Sequence, residues 1–213
     1  HSNLLRSISH DLRTPLAAIA GASSTILSGN MNINGKDTKT LLNDIVNDAT
    51  WLTQLVENLL SLTRAEEGQL GVSREWEVVE EVVLSVIERM RKRDINHKIK
   101  AILPDEPFMA YMDPGLIQQV IINLLDNAVR YTPKSSTITI RIGKTSTSIY
   151  IEVEDNGPGI PASAISTIFE RFVTVKKNKG QERRGLGLGL AICKSIVEEI
   201  GRASCRERVC HRV

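Results

Sequence analysis

A chain of 213 residues, 41% of them hydrophobic, has the length for one sizeable core or two modest domains. Aromatic residues make up only 4%, which argues against a stacking platform for nucleic-acid bases. A formal charge of +2 says little about polyanionic partners, and the last thirteen residues, GRASCRERVCHRV, supply four arginines against one glutamate.

The chain contains no apolar run long enough to cross a membrane, and its start lacks the basic-then-apolar pattern of a secretory signal. Cys193, Cys205 and Cys210 do not make a disulfide framework, so a reducing compartment is expected.

The first segment reads as helix. Leu4, Leu5, Ile8, Leu12, Leu16 and Ile19 recur at steps of mostly three or four, and Pro15 is expected to kink that helix one turn beyond His10. SGNMNINGKD (28–37) is a polar turn region. A second stripe follows through Leu41, Ile45, Ala49, Leu52, Val56, Leu59 and Leu62, with Asn34 or Asp37 as cap. Two such helices pack antiparallel. Leu42, Leu55 and Leu60, or Leu4 and Ala18, remain to be covered, and a second copy would cover them in a dimeric four-helix bundle through residues 1–66. On that bundle His10 lies off the apolar line and faces outward.

Residues 67–73, EGQLGVS, read as a linker, and the texture then changes. EWEVVEEVVLSVIERMRK predicts a short strand leading into a helix from Val79 to Arg91. Ile99–Leu103 and Phe108–Tyr111 are candidate strands, and Pro114–Arg130 is an amphipathic helix with proline in its first turn. TITIRI and SIYIEVED alternate as strands, and Leu188–Ile200 is a last helix. The expectation is an α+β chain, its second domain (74–200) a mixed sheet with helices on one face.

Four clusters in that domain carry chemistry. Asn123 and Asn127 in NLLDNAVRYTP lie one turn apart on a helix, with Arg130 near the same face; their amide oxygens suit Mg²⁺, although helix asparagines are ordinarily just solvated. In DNGPGI, Asp155 ends a strand and could accept from the exocyclic amine of adenine, with Gly157 and Gly159 letting backbone approach the ring, or the segment is a plain strand exit. Phe169 and Phe172 in IFERF are apolar plugs or core. RRGLGLGLAI sets Gly185, Gly187 and Gly189 at a helix start, where free amides cradle phosphate, and Arg183 or Arg184 could reach a phosphate from the polar run before it.

Taken together and in this order, the clusters resemble the ATP-binding domain shared by sensor histidine kinases, type II topoisomerases, Hsp90 chaperones and mismatch-repair ATPases. SHDLRTPL (9–16) resembles the phosphoacceptor box of the sensor histidine kinases. The resemblance spans residues 3–200 and implies an α/β sandwich of that ATPase type behind the helical hairpin. It implies that His10 takes the γ-phosphoryl group of ATP and that an aspartate on a response-regulator receiver domain accepts it. Asp11 and Thr14 match a family pattern for hydrolysis of that aspartyl phosphate. Asn123 and Asn127 are implied to hold Mg²⁺. Arg130, Tyr131, Asp155, Gly157, Gly159, Ile160, Phe169, Phe172, Arg184, Gly185, Gly187, Leu188 and Gly189 are implied to surround ATP. A membrane-attached parent with its kinase core on the cytoplasmic side follows from the same resemblance, and no nucleic-acid partner does.

The sequence departs from the family after residue 200, where further strands are expected. The domain is therefore read as C-terminally truncated, and 201–213 as a non-native tail; Cys205, Cys210 and His211 have poor zinc spacing. A non-kinase ATPase of the same superfamily, or a docking module with an impaired nucleotide site, are the competing readings. The first has no use for residues 1–66, and the second predicts no phosphohistidine.

Overall fold

The computed structural model describes residues 2–28, 35–66, 71–94, 96–174 and 187–200, except for the side chains at 2–8, 10–11 and 65–66. The chain forms two compact units, 1–61 and 62–213, with the division falling inside the second helix.

The first unit is a helical hairpin of α1 (Ser2–Leu27) and the greater part of α2 (Gly35–Glu66). Pro15 lies inside α1, which is assigned as one unbroken helix despite the hydrogen bond that proline cannot make. Among the protected positions, Leu12, Pro15, Ile19, Ala22 and Ile26 line one face of α1, and Thr38, Leu41, Ile45, Asp48, Leu52, Leu55, Leu59 and Leu62 one face of α2. Both sets alternate steps of three and four, the spacing of a coiled-coil seam. This corrects the expected register at several places. Leu16 (54% exposed) and Val56 (48%) point away from the seam, Ala49 is exposed, and Leu55 (4%) is inside it. The physical reason is that each helix carries apolar residues on two faces, and the 3.5-residue period selects Pro15 and Asp48 over more apolar neighbours. Leu42, Val46, Val56 and Leu60 form a second stripe on α2 and are about half exposed or more. Asp37 sits in the first turn of α2, where a carboxylate favours the helix dipole; Asn34 lies outside the described residues.

In the second unit the elements follow as β1 (Glu75–Val78), α3 (Val79–Arg93), β2 (Lys98–Ile102), β3 (Met109–Met112), α4 (Pro114–Tyr131), β4 (Thr137–Lys144), β5 (Ile149–Asp155), α5 (Ala162–Ile165) and α6 (Gly189–Ile200). Helix α3 begins with Glu80 and Glu81 and ends with Arg91, Lys92 and Arg93, charges that complement its dipole at both ends. Asp113 caps α4, its Oδ1 accepting from the Leu116 amide at 3.0 Å, and Pro114 follows at the position where a missing N–H costs nothing.

Among the described residues the expected mixed sheet is two sheets. Strands β2, β4 and β5 form one in the order β2-β4-β5, with β2 parallel and β5 antiparallel to β4, while β1 and β3 pair as a separate antiparallel ribbon. The connection from β2 to β3 holds Pro104 and Pro107, which cannot extend a hydrogen-bonded ladder and turn the chain away. In β4, Ile138, Ile140 and Ile142 are buried on one face against α3 and α4. On the other face Arg141 pairs with Glu152 of β5 at 2.5 Å. Helix α6 packs on α4 through Ala191, Ile192, Ile196 and the buried Cys193, whose Sγ lies 3.7 Å from the Val120 carbonyl oxygen. The core thus lies between sheet and helices, with α4 at its centre.

Candidate functional site

Helix α1 carries His10, Asp11 and Thr14. Thr14 is exposed one turn beyond His10; the side chains of His10 and Asp11 are outside the described residues.

In the second unit the candidate residues gather along the C-terminal half of α4. At its C-terminal end, Thr132 is 2% exposed and its Oγ1 donates to the Ala128 carbonyl at 2.7 Å. The Thr132 methyl abuts Gly157: a Cβ on that glycine would lie 2.6 Å from the methyl and 2.7 Å from Asp155 Oδ1. The turn after β5 is also held by the Gly157 amide donating to Asp155 Oδ1 at 2.8 Å and the Thr137 amide donating to Asn156 Oδ1 at 3.0 Å. Asp155 itself is exposed at the strand end, so its second oxygen can meet a donor from outside. Gly159 has a φ of 72°, a left-handed conformation that suits glycine, with Ile160 half-buried beside it.

Immediately before Thr132 stand Tyr131 and Arg130, and about one and two further turns back along α4 stand Asn127 and Asn123. Tyr131 is 38% exposed, whereas Asn123 is 4% exposed and its Nδ2 has no hydrogen-bond partner although buried. A Cβ on Gly189, the first residue of α6, would be 3.8 Å from Asn123 Oδ1, so the amide sits beside the start of that helix. An amide with one unused polar atom in such a place can meet a ligand in either orientation. Such an amide can donate to an anionic oxygen or, turned over, offer its own oxygen to a cation. Next to Asn127, Asp126 is held by Arg93 of α3, whose Nη1 is 3.2 Å from Oδ1. Burial pushes the Asp126 carboxyl above its ordinary range, against the pull of Arg93, Arg130 and Arg89.

The remaining boxes meet in backbone. The Phe172 amide donates to the Gly187 carbonyl at 3.0 Å, and both residues are left-handed, with φ of 65° and 64°. A side chain at Gly187 would collide with the Val173 backbone, so only glycine fits there. Phe169 and Phe172 are half-buried, and Leu188 (2% exposed) plugs the core where α6 begins. Arg183, Arg184 and Gly185 lie outside the described residues, as do Cys205, Cys210 and His211. The structure thus joins Asp155 and Gly157 to α4 and α4 to Gly189. Thr132, which makes the first connection, was not singled out in the sequence; its place before Pro133 at the end of a helix was the only signal.

The two units correspond to two known modules. Residues 1–68 match the His Kinase A (phospho-acceptor) domain, and residues 112–210 match the histidine kinase-, DNA gyrase B- and HSP90-like ATPases. A solved histidine kinase, AdeS of Acinetobacter baumannii, is 28% identical with a TM-score of 0.64 over 89% of this chain and 86% of that one. The chain belongs to the sensor histidine kinase family, with its phosphoacceptor hairpin and its ATPase-type α/β domain in sequence. Within that family it is of the KdpD type. It is 50% identical to the sensor protein KdpD of Clostridium acetobutylicum over 94% of the chain, and 36% identical to that of Escherichia coli over 93%. It spans 22% of the length of each of those two relatives. No helix among the described residues is long and apolar enough to cross a membrane.

Proposed function

We propose that this chain is the kinase core of a KdpD-type sensor, which phosphorylates His10 from Mg-ATP and passes the phosphoryl group to an aspartate of a response-regulator receiver domain. The observation that carries this reading is the presence, in one chain, of a phosphoacceptor module and an ATPase module whose adenine-side turn and phosphate-side helix both pack on α4. The working boundaries are 1–66 for the phosphoacceptor hairpin, 67–73 for the linker and 74–200 for the nucleotide domain. Dimerisation is supported by the second apolar stripe of α2.

His10 attacks as the neutral ring. One nitrogen bonds to the γ-phosphorus, the bond from phosphorus to the β–γ bridging oxygen breaks, and ADP leaves; Asp11 takes or polarises the ring proton. Asp155 reads the adenine amine and Gly157 and Gly159 admit the ring, flanked by Ile160 and Tyr131. Phe169, Phe172 and Leu188 close the apolar side, and the amides near Gly185, Gly187 and Gly189 hold phosphate oxygens, with Arg130 and Arg184 adding charge. Asn123 and Asn127 would hold Mg²⁺, which when bound would supply neutralisation of the triphosphate. Thr14, one turn past His10, orients a water for hydrolysis of the partner's aspartyl phosphate, which makes the core a phosphatase as well. Such a core works on the cytoplasmic face of the bacterial membrane that carries its parent.

The test is nucleotide binding by the whole chain. D155N is expected to weaken ATP about a hundredfold, and N127A to abolish the Mg²⁺ dependence of ATP binding while leaving adenosine binding intact. Wild-type affinity in D155N would refute the adenine assignment.

A further inference from the structure

The turn that presents Asp155 is fixed from three directions. Its own Asx bond runs from the Gly157 amide to Asp155 Oδ1 at 2.8 Å, and Asn156 is tied to the first residue of β4 by the Thr137 amide at 3.0 Å. The third restraint is the Thr132 methyl beneath Gly157. Only this one comes from α4, the helix that carries the asparagine pair.

Thr132 is built to aim that methyl. Its hydroxyl donates to the Ala128 carbonyl at 2.7 Å, and its amide donates to the same oxygen at 3.1 Å. Its backbone has left the helix for an extended conformation, as expected of a residue before proline. With the hydroxyl pinned and the residue 2% exposed, a β-branched side chain has one rotamer left, and its methyl rests against Gly157. Moving the methyl moves the Asp155–Gly157 turn relative to α4, because protein interiors do not leave a methyl-sized gap unfilled without rearrangement.

We propose that Thr132 is a positioning residue for adenine recognition, its methyl setting the height of the Asp155–Gly157 turn above α4. The proposal deepens the nucleotide reading and rests on it for the identity of the base. Serine would serve as well as threonine if the residue were merely a helix cap, since it keeps the hydroxyl. Valine would serve better than serine if the methyl is what matters.

The test compares T132S, T132V and D155N in the whole chain, measuring ATP and GTP affinity, the melting temperature, and hydrogen exchange at the Gly157 amide without nucleotide. T132S is expected to lose about tenfold in ATP affinity with GTP unchanged, so that the preference for adenine falls by the same factor. Gly157 exchange should quicken about tenfold in the same variant. T132V should hold ATP affinity, base preference and Gly157 exchange near wild type while melting earlier. A T132S chain that binds ATP and exchanges at Gly157 like wild type would overturn the proposal. So would parallel losses for ATP and GTP that track melting in both variants. If D155N binds ATP normally, it is the adenine reading that fails, and the Gly157 exchange of nucleotide-free T132S still decides the positioning role.

Discussion

The two units bury their apolar residues to very different degrees. In the nucleotide unit Val83, Leu125, Ile138, Ile140 and Ile196 are completely buried, and each has neighbours from another element. In the hairpin, Leu42, Val46, Val56 and Leu60 of α2 are 48–61% exposed, although the seam beside them is closed. The nucleotide unit has a self-contained core, whereas the hairpin has one face more than a pair of helices can hide. A stable fold and an unfinished surface are thus joined in one chain, and the unfinished surface belongs to the part that carries His10.

Breaking that contrast on the nucleotide side gives the largest effect. L125A removes a side chain with no exposure from α4, and should destabilise the nucleotide unit by about 3 kcal/mol while leaving the helical signal of the hairpin intact; two-step thermal unfolding followed by circular dichroism checks this. On the hairpin side, T14A should slow dephosphorylation of the partner receiver domain about a hundredfold while autophosphorylation stays within a fewfold of wild type. Equal loss of both activities would assign Thr14 to the kinase step instead. The smallest effect expected is on assembly. L60E places a charge on the exposed stripe of α2 and should raise the dimer dissociation constant about tenfold, as read by sedimentation, without lowering the melting point of the nucleotide unit. An unchanged constant would move the dimer face elsewhere.

What could be read in the sequence follows the same division. Helix α4 was legible because proline at its start, periodic apolar positions and a paired asparagine motif all pointed one way, and strands β4 and β5 because their alternation is regular. The hairpin was legible as helices but not in register. Leu16 and Val56 are better core formers than Pro15 and Asp48, and only the partner helix decides which face turns inward. The separation of β1 and β3 from the main sheet could not be read, since pairing joins segments far apart: Trp76 faces Tyr111 with ring centroids 5.6 Å apart. Thr132 was invisible for a similar reason. Nothing local says that a threonine ending a helix will support a glycine 25 positions later.

The most direct measurement is incubation of the whole chain with Mg²⁺ and γ-labelled ATP, wild type beside H10Q and D155N, followed by acid and alkali treatment of the labelled protein. The account predicts acid-labile, alkali-stable label on wild type alone, with H10Q still binding ATP. Label on H10Q, or acid-stable label on wild type, would contradict it.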